Sequence, residues 1–449
     1  MGLVRAAVVA VMASATSAHA APPRIVTAPV DSTSTHAPPV LFLNRCPGGC
    51  VIRKGYDDAR ARTSSLLQGA GTIDLVEGVW EGERWTSLVQ CVREVYSPYG
   101  ITVTDVLPEG AGLYNEVIIA GDDLDLGFEN IGGIAPFDDD CRPLSNVISF
   151  AFPGKYAPDN VYGLCWAVAQ ESGHALGLDH SYGFASGASA CSDPMSYRAD
   201  CSVQRFFRDA EATCGESAPR PCACGAKQNT HAQLLSLLGP GAPITTGPSV
   251  DNVEIRTTNG LLAVVEASAQ RGVDNLELWI NDYRWAVLRP PYADSGTYEL
   301  AAPRGLPGGI LDVVVVVADD LGGRAESPTI TVTRGDPCAD ASTCADGQRC
   351  DAGRCRWDAP VGQLGDACEY PQFCTSGMCV LNACTQLCQV DDTNACGEGF
   401  TCRYIGPEGG ACIAGEPEPP AGCAATSSTS AGAGMLIVLF AGFRRRRRG

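Results

Sequence analysis

Positive charge is scarce in this chain of 449 residues, in which 32 Lys and Arg face 51 Asp and Glu and give a net charge of −19. Proteins that bind nucleic acid or an anionic membrane surface rely on basic side chains, so the composition argues against both partners. The acidic excess is typical of a solvated surface. A hydrophobic fraction of 45% with 18% charged residues indicates a globular chain, long enough for about two to four domains.

The N-terminus lacks an apolar run long enough to span a membrane. Arg5 precedes the short run Ala6–Met12, and Ala18–Ala20 is a small-x-small cleavage site. This pattern predicts a secretory signal peptide over residues 1–20. Residues 21–39 are rich in Pro, Ser and Thr. We expect a flexible leader there, too short to be a folded inhibitory propeptide.

Cysteine is absent between residues 225 and 337 but plentiful on either side. Of 23 cysteines, ten lie between Cys46 and Cys224, twelve between Cys338 and Cys412, and one is Cys423. Ten and twelve are even numbers, so each region can close its own disulfides, which indicates an exported protein in an oxidising compartment. Cys46 and Cys50 are expected to pair across a tight loop. Export also disfavours a zinc-binding role for the cysteines.

The region before the cysteine-free interval alternates between strand and helix patterns, which predicts an α/β (α+β) domain over residues 40–242. The acidic loop 122–140 lacks the spacing of an EF-hand, so we expect solvated carboxylates there and no Ca²⁺ site. The predicted strands are Val40–Leu43, Ile101–Val106, Glu116–Ala120 and Asn146–Phe152, and the predicted helices are Trp85–Tyr96, Val161–Leu176 and Thr230–Leu238.

The rest of the chain predicts a multidomain protein. About seven β-like runs separated by turn residues over 246–335, with alternation from Leu276 to Ile280, favour an Ig-like β-sandwich. No catalytic group of residues stands out there, and a spacer or adhesion role is the simplest interpretation. Residues 337–413 have little apolar content and twelve cysteines, which predicts small disulfide-rich modules.

Histidine is scarce too, with five in the chain, yet two of them fall in one short motif, Ala169–His180. Catalytic zinc needs three protein ligands and an open position for water. On a helix, positions 170 and 174 share one face, whereas Glu171 is displaced by one residue and can activate a zinc-bound water as general base. Gly177 permits a left-handed turn at the end of the helix, after which His180 can approach the same metal ion from outside the helix. A chance match to this spacing is on the order of one in a thousand or rarer.

Alternatives to the metal site remain open at this stage. His174 and His180 could be ordinary histidines, and Met195 taken alone is most simply core packing. His231 on the last predicted helix could supply the third histidine ligand, because position 170 is a glutamine. Asp179 is expected to be a buried hydrogen-bonding partner for the loop before His180.

The motif resembles that of metzincin zinc metalloproteases, and the part from Ala175 to His180 is similar to the matrixin branch. Residues 193–197 (Asp-Pro-Met-Ser-Tyr) are similar to the methionine turn that follows the site helix in that family. The resemblance implies a polypeptide substrate bound along an edge strand near Asn146–Phe152. It implies a zinc site built from Glu171 as base, His174 and His180 as ligands, and Met195 with Tyr197 as the methionine turn.

The chain departs from the family in two respects. Gln170 stands where the first histidine ligand is expected. Its neutral amide oxygen is a weaker zinc donor than an imidazole nitrogen, so Gln170 predicts lower zinc affinity. The propeptide and cysteine switch of matrixins are also missing.

The C-terminal segment 416–449 combines three features in order: Cys423, the apolar run Gly434–Phe443 and the arginines Arg444–Arg448. About 20 residues between the cysteine and the arginines suffice to cross a bilayer weakly. The segment resembles the myxobacterial C-terminal sorting segment, which implies processing at Cys423 and display at the cell surface or outer membrane. An ordinary tail anchor is the alternative, and membrane contact is predicted only through this segment.

Two functions follow from these patterns. The first is a secreted, surface-anchored zinc endopeptidase that acts on polypeptides. The second is a degenerate metzincin fold that acts as a surface binding or adhesion protein, suggested by Gln170 and by the long non-catalytic regions. The sequence does not predict an oligomeric state.

Overall fold

The computed structural model describes residues 24–27 and 40–415, except 70, 111, 188, 199, 259, 303–305, 389–395 and 407–408. The predicted signal peptide and the C-terminal segment with Cys423 lie outside the described residues. The chain forms two compact units, the first containing residues up to 339 with 350–356, and the second 340–349 with the residues from 357 onward. It is a mixed α/β protein with several sheets, few helices and many disulfides.

The N-terminal part of the first unit is built on a six-stranded mixed sheet with strand order β1-β8-β9-β7-β2-β6. Its neighbours pair in parallel except β8 with β9, which are antiparallel. A separate small sheet has the order β4-β3-β5. The strands are β1 (Arg24–Thr27), β2 (Val40–Asn44), β3 (Cys50–Lys54), β4 (Thr63–Ser64), β5 (Thr72–Leu75), β6 (Thr102–Thr104), β7 (Asn115–Ile119), β8 (Gly133–Phe137) and β9 (Ile148–Ala151).

Apolar residues on both faces bury this sheet. Along β7, Val117 and Ile119 belong to one core cluster and Ile118 to another. Because successive side chains of a strand point to opposite faces, the sheet lies between two cores, which explains its continuous rather than alternating hydrophobic sequence. The first core is covered by α1 (Gly82–Tyr96), α3 (Val161–Ala175) and α4 (Thr230–Leu238), whereas Leu126 of the short helix α2 (Asp123–Leu126) belongs to the second core. Short 3₁₀ turns lie at Pro153–Lys155 and Tyr182–Phe184.

The central helix α3 is buried along its length from Gly163 onward. Asn160 caps its N-terminus by accepting a hydrogen bond from the Gly163 amide, 2.9 Å away. The disulfide Cys91–Cys165 ties it to α1. The helix ends before Gly177, which has φ +88° and whose added Cβ would lie 2.4 Å from the Cys141 carbonyl oxygen, so only glycine fits this turn.

Three sequence predictions change in this part of the fold. Strand β9 pairs with β7 on one side and β8 on the other, so the predicted substrate edge near Asn146–Phe152 is wrong. The predicted leader contains β1, which pairs with the other side of β8 and forms the edge of the sheet there. The acidic loop 122–140 holds α2 and β8, and Asp122 with Asp125 forms the capping box of α2.

Residues 249–334 form two antiparallel sheets that share one hydrophobic core. One has the order β10-β11-β14; the other has the order β13-β12-β15-β16, with β17 also paired to β15. The two sheets and their common core agree with the predicted β-sandwich, and its Ig-like character stays a prediction. The strands are β10 (Ser249–Arg256), β11 (Leu262–Val273), β12 (Asn275–Ile280), β13 (Tyr283–Leu288), β14 (Ala293–Ala301), β15 (Gly309–Ala318), β16 (Arg324–Glu326) and β17 (Ile330–Arg334).

The cysteine-rich region has short strands and no large apolar core among its described residues. Its strands are β18 (Gln348–Asp351), β19 (Arg354–Trp357), β20 (Cys379–Val380), β21 (Ala383–Cys384), β22 (Leu387–Cys388), β23 (Phe400–Gly406) and β24 (Gly409–Ala414), with 3₁₀ turns at Ala341–Thr343 and Pro371–Phe373.

All cysteines from Cys46 to Cys412 are disulfide-bonded. The ten of the first region pair among themselves, including the predicted Cys46–Cys50 bridge. This pairing confirms that each region closes its own disulfides and fits an exported protein. Within the described residues no helix has the length and apolar character required to cross a bilayer.

Candidate active site

The last turns of α3 and the turn at Gly177 bring two histidines together. His174 lies one helical turn after Gln170 on the same face, and both are fully buried. His180 follows the turn, and its Nε2 lies 3.0 Å from the Nε2 of His174. The rings are nearly perpendicular, with centroids 4.5 Å apart.

The outer nitrogen of each ring has an acceptor that sets its tautomer. His174 Nδ1 lies 2.7 Å from the Leu178 carbonyl oxygen, and His180 Nδ1 lies 3.1 Å from Glu216 Oε1. His174 Nδ1 therefore donates to the carbonyl oxygen, which leaves the Nε2 of His174 with a lone pair that faces His180. Burial, and next the neighbouring His180, lower the pKa of His174 to about 3. A separation of 3.0 Å suits one proton shared by the two nitrogens, and it also suits two ligands of one cation, as in a metal site.

Gln170 presents an amide oxygen without a partner. Its Nε2 donates to the carbonyl oxygens of Pro194 and Ser196, at 2.9 and 3.3 Å. These two acceptors fix the orientation of the amide, since only the nitrogen can donate. The Oε1 atom is buried and has no hydrogen-bond partner among the described residues. A buried acceptor of this kind is unusual and is explained by a cation or an ordered water.

Glu171 is fully buried, and within the described part of the chain neither of its carboxyl oxygens has a hydrogen-bond partner. Burial raises the pKa of this carboxyl well above its usual range. A Cβ added to Gly133 would lie 2.7 Å from Glu171 Oε1, so the carboxyl packs against the first residue of β8. A buried carboxyl with a raised pKa is a common property of catalytic acids and bases.

Strand β8 passes both candidate catalytic groups. Gly133 contacts Glu171, and at the other end the ring of Phe137 lies 6.1 Å from that of His174. The outer edge of β8 pairs with β1 from Arg24↔Ile134 to Thr27↔Phe137. In this structure β1 is the extended segment that occupies this side of β8, the strand that contacts Glu171 and His174.

The predicted methionine turn lies directly under α3. Met195 is fully buried in the core beside the helix. A Cβ added to Gly173 would lie 2.9 Å from its Sδ, so the helix packs closely against the sulfur. The Tyr197 ring centroid is 4.6 Å from that of His180. Met195 is thus both a core residue and a neighbour of the histidine pair.

Two site residues had no signal in the sequence. Glu216 accepts the His180 hydrogen bond, and Arg220 donates to Glu216 at 2.8 Å and to both Asp179 oxygens at 2.6 and 2.8 Å. The His180 bond, then Arg220, lower the pKa of Glu216 to about 2. Asp179 also accepts from the His180 amide at 2.7 Å, which confirms its predicted role. The only hint in the sequence is the pair Cys214 and Cys222, whose disulfide closes the loop that carries both missed residues.

His231 is engaged elsewhere. Its Nδ1 lies 3.0 Å from the Tyr99 hydroxyl, and the two rings pack together at the end of α1. Burial lowers the pKa of this imidazole. These contacts give no support to His231 as a substitute for the missing histidine ligand.

No protein-family model matches the sequence, and no curated protein matches it. Among solved structures, wild-type OgpA from Akkermansia muciniphila matches with 14% identity over 50% of this chain and 66% of its own, at a TM-score of 0.17. Catalytically inactive OgpA in complex with an O-glycopeptide substrate, glycodrosocin, matches with 14% identity over 69% of this chain and 95% of its own, also at 0.17. The similarity is weak, and a TM-score this low establishes no shared activity.

Proposed function

We propose that the chain is an exported zinc-dependent endopeptidase of metzincin type, anchored at the cell surface through the segment that contains Cys423. His174, His180 and Gln170 are the zinc-binding side chains, and Glu171 is the general base. The observation that carries the proposal is the pair of buried imidazole nitrogens that face each other at 3.0 Å.

The donor set fits zinc. Two neutral imidazole nitrogens and an amide oxygen supply three ligands and leave a fourth position open, as in catalytic sites. Two nitrogens bound at ordinary Zn–N distances with tetrahedral angles lie about 3.3 Å apart, within a few tenths of an ångström of the observed distance. The partnerless oxygen of Gln170 supports its role as the third ligand.

When bound, zinc supplies a Lewis acid that polarises a peptide carbonyl and acidifies a water molecule. The protein supplies the proton transfers. Glu171 accepts a proton from the attacking water at one carboxyl oxygen and returns it to the leaving nitrogen, and the absence of hydrogen-bond partners leaves both oxygens free for these steps. The substrate backbone takes the place of β1 along β8, which keeps the scissile bond beside Glu171.

One observation favours a binding protein with a degenerate site as the second candidate. The Gln170 amide nitrogen already holds the Pro194 and Ser196 carbonyl groups. Gln170 therefore has a structural role that requires no metal, and the fold persists if catalysis is lost.

A comparison of two buried glutamates separates the candidates. Glu171→Gln removes the proposed base, whereas Glu116→Gln alters a fully buried glutamate on β7 that accepts a 2.7 Å hydrogen bond from Asn44. The full exported chain is assayed for zinc content and for cleavage of an unfolded protein. We expect about one zinc per chain, a loss of cleavage of about 10²–10⁴-fold in Glu171→Gln, and nearly unchanged cleavage in Glu116→Gln.

Two outcomes count against the enzyme. Wild-type protein that holds no zinc and cleaves nothing supports the binding protein. Cleavage that is unaffected by Glu171→Gln excludes Glu171 as the base.

A further inference from the structure

A buried ionic cluster joins the β-sandwich to the domain that carries the site. Arg208 precedes α4, Arg271 lies on β11 and Asp320 follows β15. Asp320 accepts from Arg208 Nη1 at 3.0 Å, and from Arg271 Nε and Nη2 at 2.7 and 2.9 Å. All three side chains are 3% exposed or less. The Arg208 guanidinium also donates to the Arg271 carbonyl oxygen, and Arg271 Nη2 to that of Phe207.

Arg208 extends this cluster to the segment that contains Met195. Its Nε donates to the Ser192 carbonyl oxygen at 3.0 Å, and its amide donates to Asp193 Oδ2 at 2.9 Å. Asp193 accepts in turn from the Met195 amide at 2.8 Å. One arginine thus contacts the sandwich carboxylate and holds the start of the methionine turn.

The segment Ser192–Ser196, which contains Met195, contacts the chain at Gln170 and next to His180, on the two sides of the candidate zinc site. The carbonyl oxygens of Pro194 and Ser196 accept from the Gln170 side chain. The Met195 carbonyl oxygen accepts from the amide of Ser181, the residue after His180, at 2.8 Å. Displacement of the segment therefore shifts Gln170 and His180 relative to each other.

We infer that the β-sandwich is a positioning element of the zinc site, and that Asp320 is a positioning residue that acts through Arg208 on the segment Ser192–Ser196. This inference rests on the proposed function. Without the Asp320 charge, Arg208 and Arg271 are two buried cations with no counter-ion between them. Their repulsion moves Arg208 and with it the segment. The sandwich is then part of the working site rather than a spacer.

The sandwich offers a matched control. Glu277 is also a buried carboxylate held by two arginines, Arg284 and Arg324, both at 2.9 Å. It lies on β12, and among the described residues its hydrogen bonds go to Trp279, Arg284 and Arg324 rather than to the methionine turn. Glu277→Gln therefore removes a similar charge from the same domain, so a loss of sandwich stability alone affects Glu277→Gln and Asp320→Asn alike.

The experiment measures zinc affinity of the full exported chain by chelator competition, at a temperature where circular dichroism shows every variant folded. We expect Asp320→Asn to weaken binding about tenfold and Glu277→Gln to change it less than twofold. The absorption spectrum of the cobalt-substituted protein should change only in Asp320→Asn. Asp320→Glu should restore part of the affinity, and it replaces Asp320→Asn as the test variant if the latter does not fold. Equal affinities in Asp320→Asn and Glu277→Gln overturn the inference.

Hydrogen exchange tests the inference without zinc. The Met195 amide, which donates to Asp193, should lose protection in Asp320→Asn and keep it in Glu277→Gln. If wild-type protein binds no zinc, the proposed function fails. Hydrogen exchange then still tests whether Asp320 acts through Arg208 on the segment Ser192–Ser196. Unchanged protection of Met195 in Asp320→Asn rejects the link itself.

Discussion

Replacing Gly133 by alanine tests how closely the candidate base is packed. The added Cβ would lie 2.7 Å from Glu171 Cγ and Oε1, and 2.8 Å from the Phe150 carbonyl oxygen. The Phe150 oxygen belongs to the backbone of the neighbouring strand β9 and cannot rotate away. The Glu171 carboxyl must therefore move, or the strands must separate.

The expected cost has two parts. Overpacking of a buried position destabilises a protein by about 1–3 kcal/mol, so Gly133→Ala should lower the free energy of unfolding by that amount. A catalytic group displaced by about 1 Å can lose about 10²-fold in rate, so kcat should fall by roughly that factor. Zinc affinity should change little, because neither histidine contacts Gly133 in the described structure.

The assay combines chemical denaturation, zinc titration and cleavage kinetics. Gly112→Ala is the control, since no atom lies within 4 Å of its added Cβ. It should leave stability, zinc affinity and kcat essentially unchanged. A Gly133→Ala protein with wild-type kcat would refute the assignment of Glu171 as a closely packed base at the start of β8.

Four further predictions concern the site and its support. Gln170→His should raise zinc affinity about tenfold or more, because imidazole is the better donor, but lower stability by about 1–2 kcal/mol through lost hydrogen bonds; zinc titration and denaturation measure both. Glu216→Gln should weaken zinc binding about 10–100-fold, because the carboxylate orients His180. Deleting Arg24–Thr27 should lower KM and leave kcat unchanged, because this strand competes with an extended substrate for β8; steady-state kinetics decides. Burial raises the pKa of Asp320, but Arg208 and Arg271 outweigh burial and lower it overall. The ionised Asp320 therefore stabilises the fold above the unfolded pKa of about 3.9, and this contribution is lost as the pH falls through the folded pKa. Below about pH 4, the free energy of unfolding of the wild type should fall more steeply than that of Asp320→Asn, by up to about 1.4 kcal/mol per pH unit.

The motif that defines the candidate site could be predicted because its determinants are local. One helix turn separates Gln170 from His174, and the left-handed turn at Gly177 follows from glycine alone. The helix itself is indicated by its continuous apolar sequence. Strand pairing is different, because it depends on contacts between residues that are distant along the chain.

Strand β8 illustrates the difficulty. It contains Pro136 within an acidic, glycine-rich stretch, and proline in a strand pattern argues against a central strand. In the fold β8 pairs with β9 only at Gly133 and Ile134, so Pro136 lies beyond that ladder. The better strand pattern at Asn146–Phe152 belongs to β9, which lies inside the sheet between β8 and β7.

Charge that is buried or half-buried is the other feature that the sequence patterns did not predict. Glu216, Arg271 and Asp320 are polar residues in segments without a motif, and such residues are usually solvated. Their positions in the site and in the ionic cluster result from the long-range packing of the first unit. Only the three-dimensional structure shows that these charges face partners.

The most direct test of the zinc site is X-ray absorption at the zinc edge of the full exported chain after dialysis against stoichiometric zinc. The proposal predicts one zinc per chain, coordinated by two imidazole nitrogens and otherwise by oxygen. In Gln170→His, a third imidazole nitrogen should replace one of the oxygen ligands. Protein that retains no zinc, or zinc surrounded by sulfur, would contradict the site formed by Gln170, His174 and His180.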